Sequence, residues 1–168
     1  HKFQFSPQGG AQMLVYDVDG DGDNDIVTSL WAHGWGMAWF ENSAQDGGVA
    51  LKKHVIMPSN AKPGAGGVVF SQHHALAMGD FNGDGLTDFV TGKRWWAHGG
   101  GDPGADQPAV LYWFELKRSE AHGVEFIPHL VDTDSGVGTQ IAVGDLDGDK
   151  RTDIGIGNKK GIYIFRTK

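Results

Sequence analysis

The chain contains no cysteine, which excludes disulfides and thiolate metal centres and leaves the redox compartment open. It is also short of cations: 14 Lys and Arg stand against 21 Asp and Glu, for a formal charge of −7. Nucleic acid and anionic membranes are held by clustered cations, so neither is an expected partner. No apolar run approaches the about 18 residues of a membrane-spanning helix, and no signal-peptide pattern is present. G-x-S-x-G, P-loop and dinucleotide-binding motifs are missing too, which leaves hydrolase, kinase and oxidoreductase readings unsupported. Proline is scarce, with six residues. What the chain has instead is glycine, 27 of 168 residues, about twice average usage, together with nine Phe, six Trp and three Tyr. Many tight turns between segments bearing large apolar side chains describe an all-β protein, and this length suits one domain with a modest core. The first residue is His1 rather than Met, which points to a longer precursor or a fragment.

One nine-residue pattern occurs three times: DVDGDGDND at 17–25, DFNGDGLTD at 80–88 and DLDGDKRTD at 145–153. Each copy lies between two short apolar runs, which reads as strand, acidic turn, strand. The likeness continues as Trp31-Ala32-His33-Gly34 against Trp96-Ala97-His98-Gly99, and as Trp39-Phe40-Glu41 against Trp113-Phe114-Glu115. Four strands fit each full unit, near 11–16, 26–31, 37–42 and 51–56, then near 73–78, 89–95, 109–117 and 124–130. A four-stranded unit of about 65 residues is a propeller blade. The predicted fold is therefore all-β, with about three blades of four antiparallel strands in a single segment, 1–168. A lone outer strand falls within 1–10, one blade spans 11–72, a second spans 73–139, and a partial one spans 140–168. Three blades are fewer than the four to eight of closed propellers. Other blades of a parent chain, or a second copy completing a six-bladed ring, would close it, and both remain open.

Oxygen-bearing side chains recur at loop positions 1, 3, 5 and 9: Asp17, Asp19, Asp21, Asp25; Asp80, Asn82, Asp84, Asp88; Asp145, Asp147, Asp149, Asp153. Ca²⁺ takes six to eight oxygens at about 2.3–2.6 Å, and a tight loop converges alternate side chains on one point, with the position-7 carbonyl (Asp23, Leu86, Arg151) as a further ligand. Without an ion these carboxylates repel one another. An EF-hand is excluded because position 12 holds Thr28, Thr91 and Ile156 instead of a bidentate Glu, and the flanks are β-like. Mg²⁺ suits the loops less well because it demands strict octahedral geometry and retains water. The third loop differs at position 6, where Lys150 replaces Gly22 and Gly85, and a left-handed turn costs more without glycine. Twelve of the 21 carboxylates, five, three and four in the successive loops, lie in these turns.

At these residues the chain resembles the FG-GAP or VCBS-like repeats, whose calcium loops read D-x-[DN]-G-D-G-x-x-D. The resemblance covers nearly the whole chain, although the literal Phe-Gly and Gly-Ala-Pro signatures are absent. HALAMGDFNGDGLTDFVTGKRWWAHG and SGVGTQIAVGDLDGDKRTDIGIGNKKG look like the C-terminal part of longer bacterial exported proteins. That implies an integrin-α-like calcium-binding propeller, six or seven blades in the parent, and an extracellular or periplasmic location. In this family the calcium loops join the first strand of a blade to the second. Residues that begin the first strand or end the second would then meet at the opposite end.

Those positions carry His73 and His74; Lys93, Arg94, Trp95, Trp96 and His98; and Trp31, His33 and Trp35. Imidazoles can bind Zn²⁺ or another transition metal, or act as general acid and base. Arg94 and Lys93 could hold a carboxylate or offset enolate charge, and the tryptophans could stack on sugars. His33, His73, His74, Arg94 and His98 are thus candidate catalytic groups, and Trp31, Trp35, Lys93, Trp95 and Trp96 candidate ligand contacts. Turn packing would account equally for the repeated Trp-Ala-His-Gly. Two functions are consistent with the sequence: a calcium-stabilised binding or scaffold module recognising protein or glycan, and a carbohydrate lyase or dehydratase.

Overall fold

Short apolar runs on either side of a turn pair as antiparallel strands, because each strand offers the other a full row of backbone donors and acceptors. The computed structural model describes all residues except 1, 3, 7, 44–48, 64–66 and 122. Its strands are β1 (Met13–Tyr16), β2 (Asp25–Ser29), β3 (Met37–Asn42), β4 (Leu51–Met57), β5 (Leu76–Gly79), β6 (Asp88–Gly92), β7 (Leu111–Ser119), β8 (Gly123–Asp132), β9 (Ile141–Gly144), β10 (Asp153–Asn158) and β11 (Gly161–Phe165). They form three antiparallel sheets ordered β1-β2-β3-β4, β5-β6-β7-β8 and β9-β10-β11, called blades 1, 2 and 3 below. The register around each acidic loop is the same, with Tyr16 opposite Asp25, Gly79 opposite Asp88 and Gly144 opposite Asp153.

The blades stack face to face. Leu14, Tyr16, Val27 and Trp39 of blade 1 pack against Leu76, Phe89, Phe114 and Leu116 of blade 2. The opposite face of blade 2, through Ala77, Val90 and Leu111, packs on Ile154 and Ile156 of blade 3. The first strands lie side by side, β1 next to β5 and β5 next to β9, as the inner strands of a propeller do. The sheets do not close into a barrel. No described helix is long and apolar enough to cross a membrane.

The second strands end earlier than predicted, at Ser29 and Gly92 instead of 31 and 95. Leu30 N–H donates to the Gly36 carbonyl (2.9 Å), turning the chain, while Arg94 leaves the ladder to bridge Val137 in the connection between blades 2 and 3. The lone strand expected at 1–5 falls partly outside the described residues. Lys2, Gln4 and Phe5 pair with no strand, and Phe5 packs edge-on against Phe40 of blade 1 at 4.9 Å.

Candidate functional site

At one end of the blades the three acidic loops fold alike. Each position-1 carboxylate accepts from the N–H groups of positions 4 and 6: Asp17 from Gly20 (2.6 Å) and Gly22 (3.2 Å), Asp80 from Gly83 (2.7 Å) and Gly85 (3.0 Å), Asp145 from Gly148 (2.7 Å) and Lys150 (2.9 Å). Position 3 accepts from the N–H of position 5 (Asp19, Asn82, Asp147), and position 5 from the N–H of position 7 (Asp21, Asp84, Asp149). Asp23, Leu86 and Arg151 are therefore tied into the loop through their backbone. Lys150 adopts φ 70° where Gly22 and Gly85 have 99° and 85°, so the third loop reaches the common shape at the cost of a left-handed non-glycine residue.

Position 9 ties loop to sheet. Asp25 accepts from Val18 N–H (2.9 Å) and Asn42 N–H (2.8 Å), Asp88 from Phe81 (3.1 Å) and Leu116 (2.8 Å), Asp153 from Leu146 (3.0 Å) and Thr167 (3.0 Å). All three are buried. Burial pushes the Asp25 and Asp88 carboxyls up, Asp88 to about 6, against the opposing pull of those backbone donors. Burial likewise raises Asp23, with repulsion from Asp21, Asp19 and Asp17 adding to it. A ligand atom of Asp17, Asp19 and Asp25, and one of Asp145, Asp147 and Asp153, lie within 4.8 Å of one another in each set. Such convergence of like charge is what a hard divalent cation relieves.

Each loop also has a neighbouring cation that loop spacing alone does not predict. Arg118 at the end of β7 donates to the Asp17 and Val18 carbonyls (2.6 and 2.8 Å), linking blade 2 to the loop of blade 1. Lys117 pairs with Asp84 (3.4 Å) and Glu115 (2.5 Å), and Arg166 with Asp147. The backbone donation of Leu86 and the charge of Lys117 hold Asp84 below the usual carboxylate range.

At the opposite end the two Trp-Ala-His-Gly turns meet. His33 Nδ1 and His98 Nδ1 converge on Asp102, at 3.2 Å from Oδ2 and at 3.1 and 3.0 Å from Oδ1 and Oδ2. Their rings stack at 4.7 Å, and His74 stands edge-on to His33 at 4.6 Å. Arg94 Nη1 lies 3.3 Å from His74 Nε2. Burial, with Arg94 and His33 adding to it, pushes His74 down to about 4, so its ring is neutral near pH 7. Burial works to raise Asp102, but the hydrogen bonds from His33 and His98 outweigh it and hold the carboxyl below its usual range.

Gln72 braces this end. Its N–H donates to the Gly34 carbonyl (2.8 Å), and its carbonyl accepts from Arg94 N–H (3.1 Å). With its amide oriented to donate to the Arg94 carbonyl (2.9 Å), its side-chain oxygen accepts from Lys93 Nζ at 3.1 Å. Gly104 lies so close to Trp35 and Ser71 that a Cβ there would come within 2.9 Å of both side chains. This packing fixes the loop that carries Asp102 against blade 1.

Four expected site residues lie elsewhere. His73 is fully buried against Phe70, 4.9 Å between ring centroids, and does not join the other histidines, because the tight turn ahead of β5, closed by His74 N–H on the Gln72 carbonyl, directs it into the core. Lys93 is 1% exposed and is held by burial below the usual lysine range, so it braces Gln72 instead of facing a ligand. Trp95 lies under Lys160 Nζ, 5.6 Å from its centroid. Trp31 is folded onto Gly34 of its own turn. Trp96 remains 48% exposed. Asp102 is the group that spacing did not single out. Its one signal in the chain is position, in the long loop that follows the second Trp-Ala-His-Gly.

A further repeated feature sits on the outer strands. Trp39 stacks on His54 and Trp113 on His129, both at 4.2 Å, and each histidine bonds a carboxylate, Glu41 at 2.6 Å and Glu115 at 2.9 Å. These pairs fasten the third strand to the fourth in blades 1 and 2.

A comparison with curated proteins gives no match. The family model described as FG-GAP repeat matches residues 74–106, a span that includes the second acidic loop, His74, Arg94, His98 and Asp102. The segment of blade 2 that spans β5 and β6 is thus similar to an FG-GAP repeat, and it stands in a stack of antiparallel, propeller-type blades.

Proposed function

We propose that this chain is a calcium-stabilised β-propeller module of an exported protein and that it acts in binding or scaffolding, with a protein or a glycan as partner. The observation that carries this reading is the threefold recurrence of one loop geometry, in which carboxylates at the same positions accept the same backbone donors. Turns built only for solvent need no such convergence of charge. Extracellular calcium at about 10⁻⁴–10⁻³ M is the range in which extracellular modules bind. Calorimetric titration of chelator-stripped protein is expected to give two or three Ca²⁺ per chain, and calcium should raise the melting temperature. An unchanged melting temperature with EDTA would count decisively against the reading.

A second reading rests on the other end of the blades. Neutral His74 beside Arg94, with His33, His98 and Asp102 in contact, has the parts for removing a proton next to a carboxylate and offsetting the charge that develops. That chemistry belongs to a lyase or dehydratase acting on uronate-containing glycans. Incubation with such polysaccharides should then yield an unsaturated product absorbing in the ultraviolet. No product with the wild-type chain across pH 6–9 would leave the binding reading alone.

A further inference from the structure

We infer that His33, His98 and Asp102 form a binding site for a first-row divalent metal of the Zn²⁺ type, separate from the calcium loops and at the opposite end of blades 1 and 2. Three properties of the site point to this. The first is donor chemistry. Two imidazole nitrogens and one carboxylate suit Zn²⁺, whereas Ca²⁺ and Mg²⁺ require oxygen shells that this cluster does not offer.

The second is spacing. A tetrahedral centre with bonds of about 2.0–2.1 Å sets its ligand atoms about 3.3 Å apart. The two Nδ1 atoms lie 3.2 Å and 3.0–3.1 Å from the oxygens of Asp102, and one ligand atom from each of the three residues lies within 4.8 Å of the others. An ion therefore enters with small side-chain shifts, each Nδ1 proton passing to solvent while Nε2 takes one up, so both rings bind as neutral imidazoles. The third is preorganisation. The two histidines come from corresponding turns of successive blades, and Asp102 is delivered between them by the loop that Gly104 seats against Trp35. His98 is held at φ 48° and Trp96 at φ 53°, left-handed conformations that side chains other than glycine seldom adopt.

His74 is excluded as a fourth ligand through Nε2, which faces Arg94 Nη1. The site thus supplies three protein ligands. His98 is 58% exposed on its side chain, so water or a ligand oxygen reaches the fourth position, as in open zinc sites. The metal would sit on the side of His33 that meets His74, whose neighbour is Arg94, and an anionic or hydroxyl-bearing ligand could coordinate it there.

The test is titration of Zn²⁺ into the full chain, stripped of metal and then saturated with Ca²⁺, followed by calorimetry. One equivalent is expected beyond the calcium stoichiometry, and Co²⁺ in its place should give visible absorption bands of a four-coordinate centre. The double variant His33→Ala/His98→Ala and the single variant Asp102→Asn should each lose that equivalent. The fall in affinity should exceed the 10–100-fold that loss of an outer-shell partner causes. His54→Ala and His129→Ala, on the outer strands, should keep it. Retention of calcium-dependent melting in the variants shows that they fold. If they do not, long-range ¹⁵N–¹H spectra of the wild type provide the measurement, with Zn²⁺ expected to shift the Nδ1 signals of His33 and His98 alone. Wild-type protein that takes up no Zn²⁺, or a double variant that binds it unchanged, would overturn the inference. Calcium stoichiometry is read separately, so the two ends of the molecule succeed or fail independently.

Discussion

His73 illustrates how the environment of one residue sets its role. Neither of its ring nitrogens has a hydrogen-bond partner among the described residues, and the side chain is fully buried. Burial pushes its pKa from 6.5 down to about 3. The folded value is depressed, so the unfolded chain takes up a proton that the folded chain refuses. The stabilising contribution is complete above about pH 6.5 and is lost progressively as pH falls from there towards about 3. Melting of calcium-saturated protein should show a fall in stability across that window. In His73→Leu the part due to this residue should vanish, so the variant gains on the wild type as pH drops from 7 to 5. At pH 7 the change should be within about 1 kcal/mol, because removing unpaired buried polar atoms offsets the altered packing. A gap between variant and wild type that does not move with pH would contradict the account. Its exclusion from the site was not legible in the sequence. His73 and His74 are adjacent, and only the fold decides which one faces the core.

At the scale of the element, the acidic loop divides its carboxylates between two tasks. Asp88 holds Phe81 N–H and Leu116 N–H inside the protein, whereas Asp84 is exposed and meets Leu86 N–H, Asn82 and Lys117. Asp88→Ala leaves two buried donors without a partner and should cost about 2–5 kcal/mol even in EDTA. Asp84→Ala should change chelated stability by under about 1 kcal/mol while weakening calcium binding, as thermal melts with and without Ca²⁺ will report. Equal losses in EDTA for both variants would refute this division. In the third loop, Lys150 at φ 70° carries left-handed strain that glycine avoids. Lys150→Gly should therefore raise stability by about 1 kcal/mol. The loop positions were legible from spacing alone, because a nine-residue turn fixes which side chains converge. The distinct duty of position 9 was not, since one of its two backbone donors lies outside the loop, on the adjacent third strand (Asn42, Leu116) or just past it (Thr167), 17, 28 and 14 residues away.

For the whole molecule, the two outer blades present apolar faces to solvent. Met13 and Val15 are each 52% exposed on blade 1, and Ile162 and Ile164 are 86% and 54% exposed on blade 3. The inner face of β1, Leu14 and Tyr16, is buried between blades, and that of β11, Tyr163 and Phe165, is half-buried against blade 2. A face of this kind draws another apolar surface, and among the expected occupants a second copy is the one testable with this chain alone. Sedimentation should show association that rises with concentration. Ile162→Lys/Ile164→Lys should reduce it while changing stability by under about 0.5 kcal/mol, as for other surface substitutions. A wild-type chain that stays monomeric at high concentration would remove the second copy as occupant.

The amino-acid sequence by itself determined the blade repeat, the loop positions and the strand order. Those depend on local periodicity and on turns that close within nine residues. Only the tertiary structure decided which histidines meet. His33 and Asp102 lie 69 residues apart and come together because blade 2 stacks on blade 1 through a shared apolar core. That contact brings equivalent turns of neighbouring blades side by side, and no pattern along one chain segment encodes it.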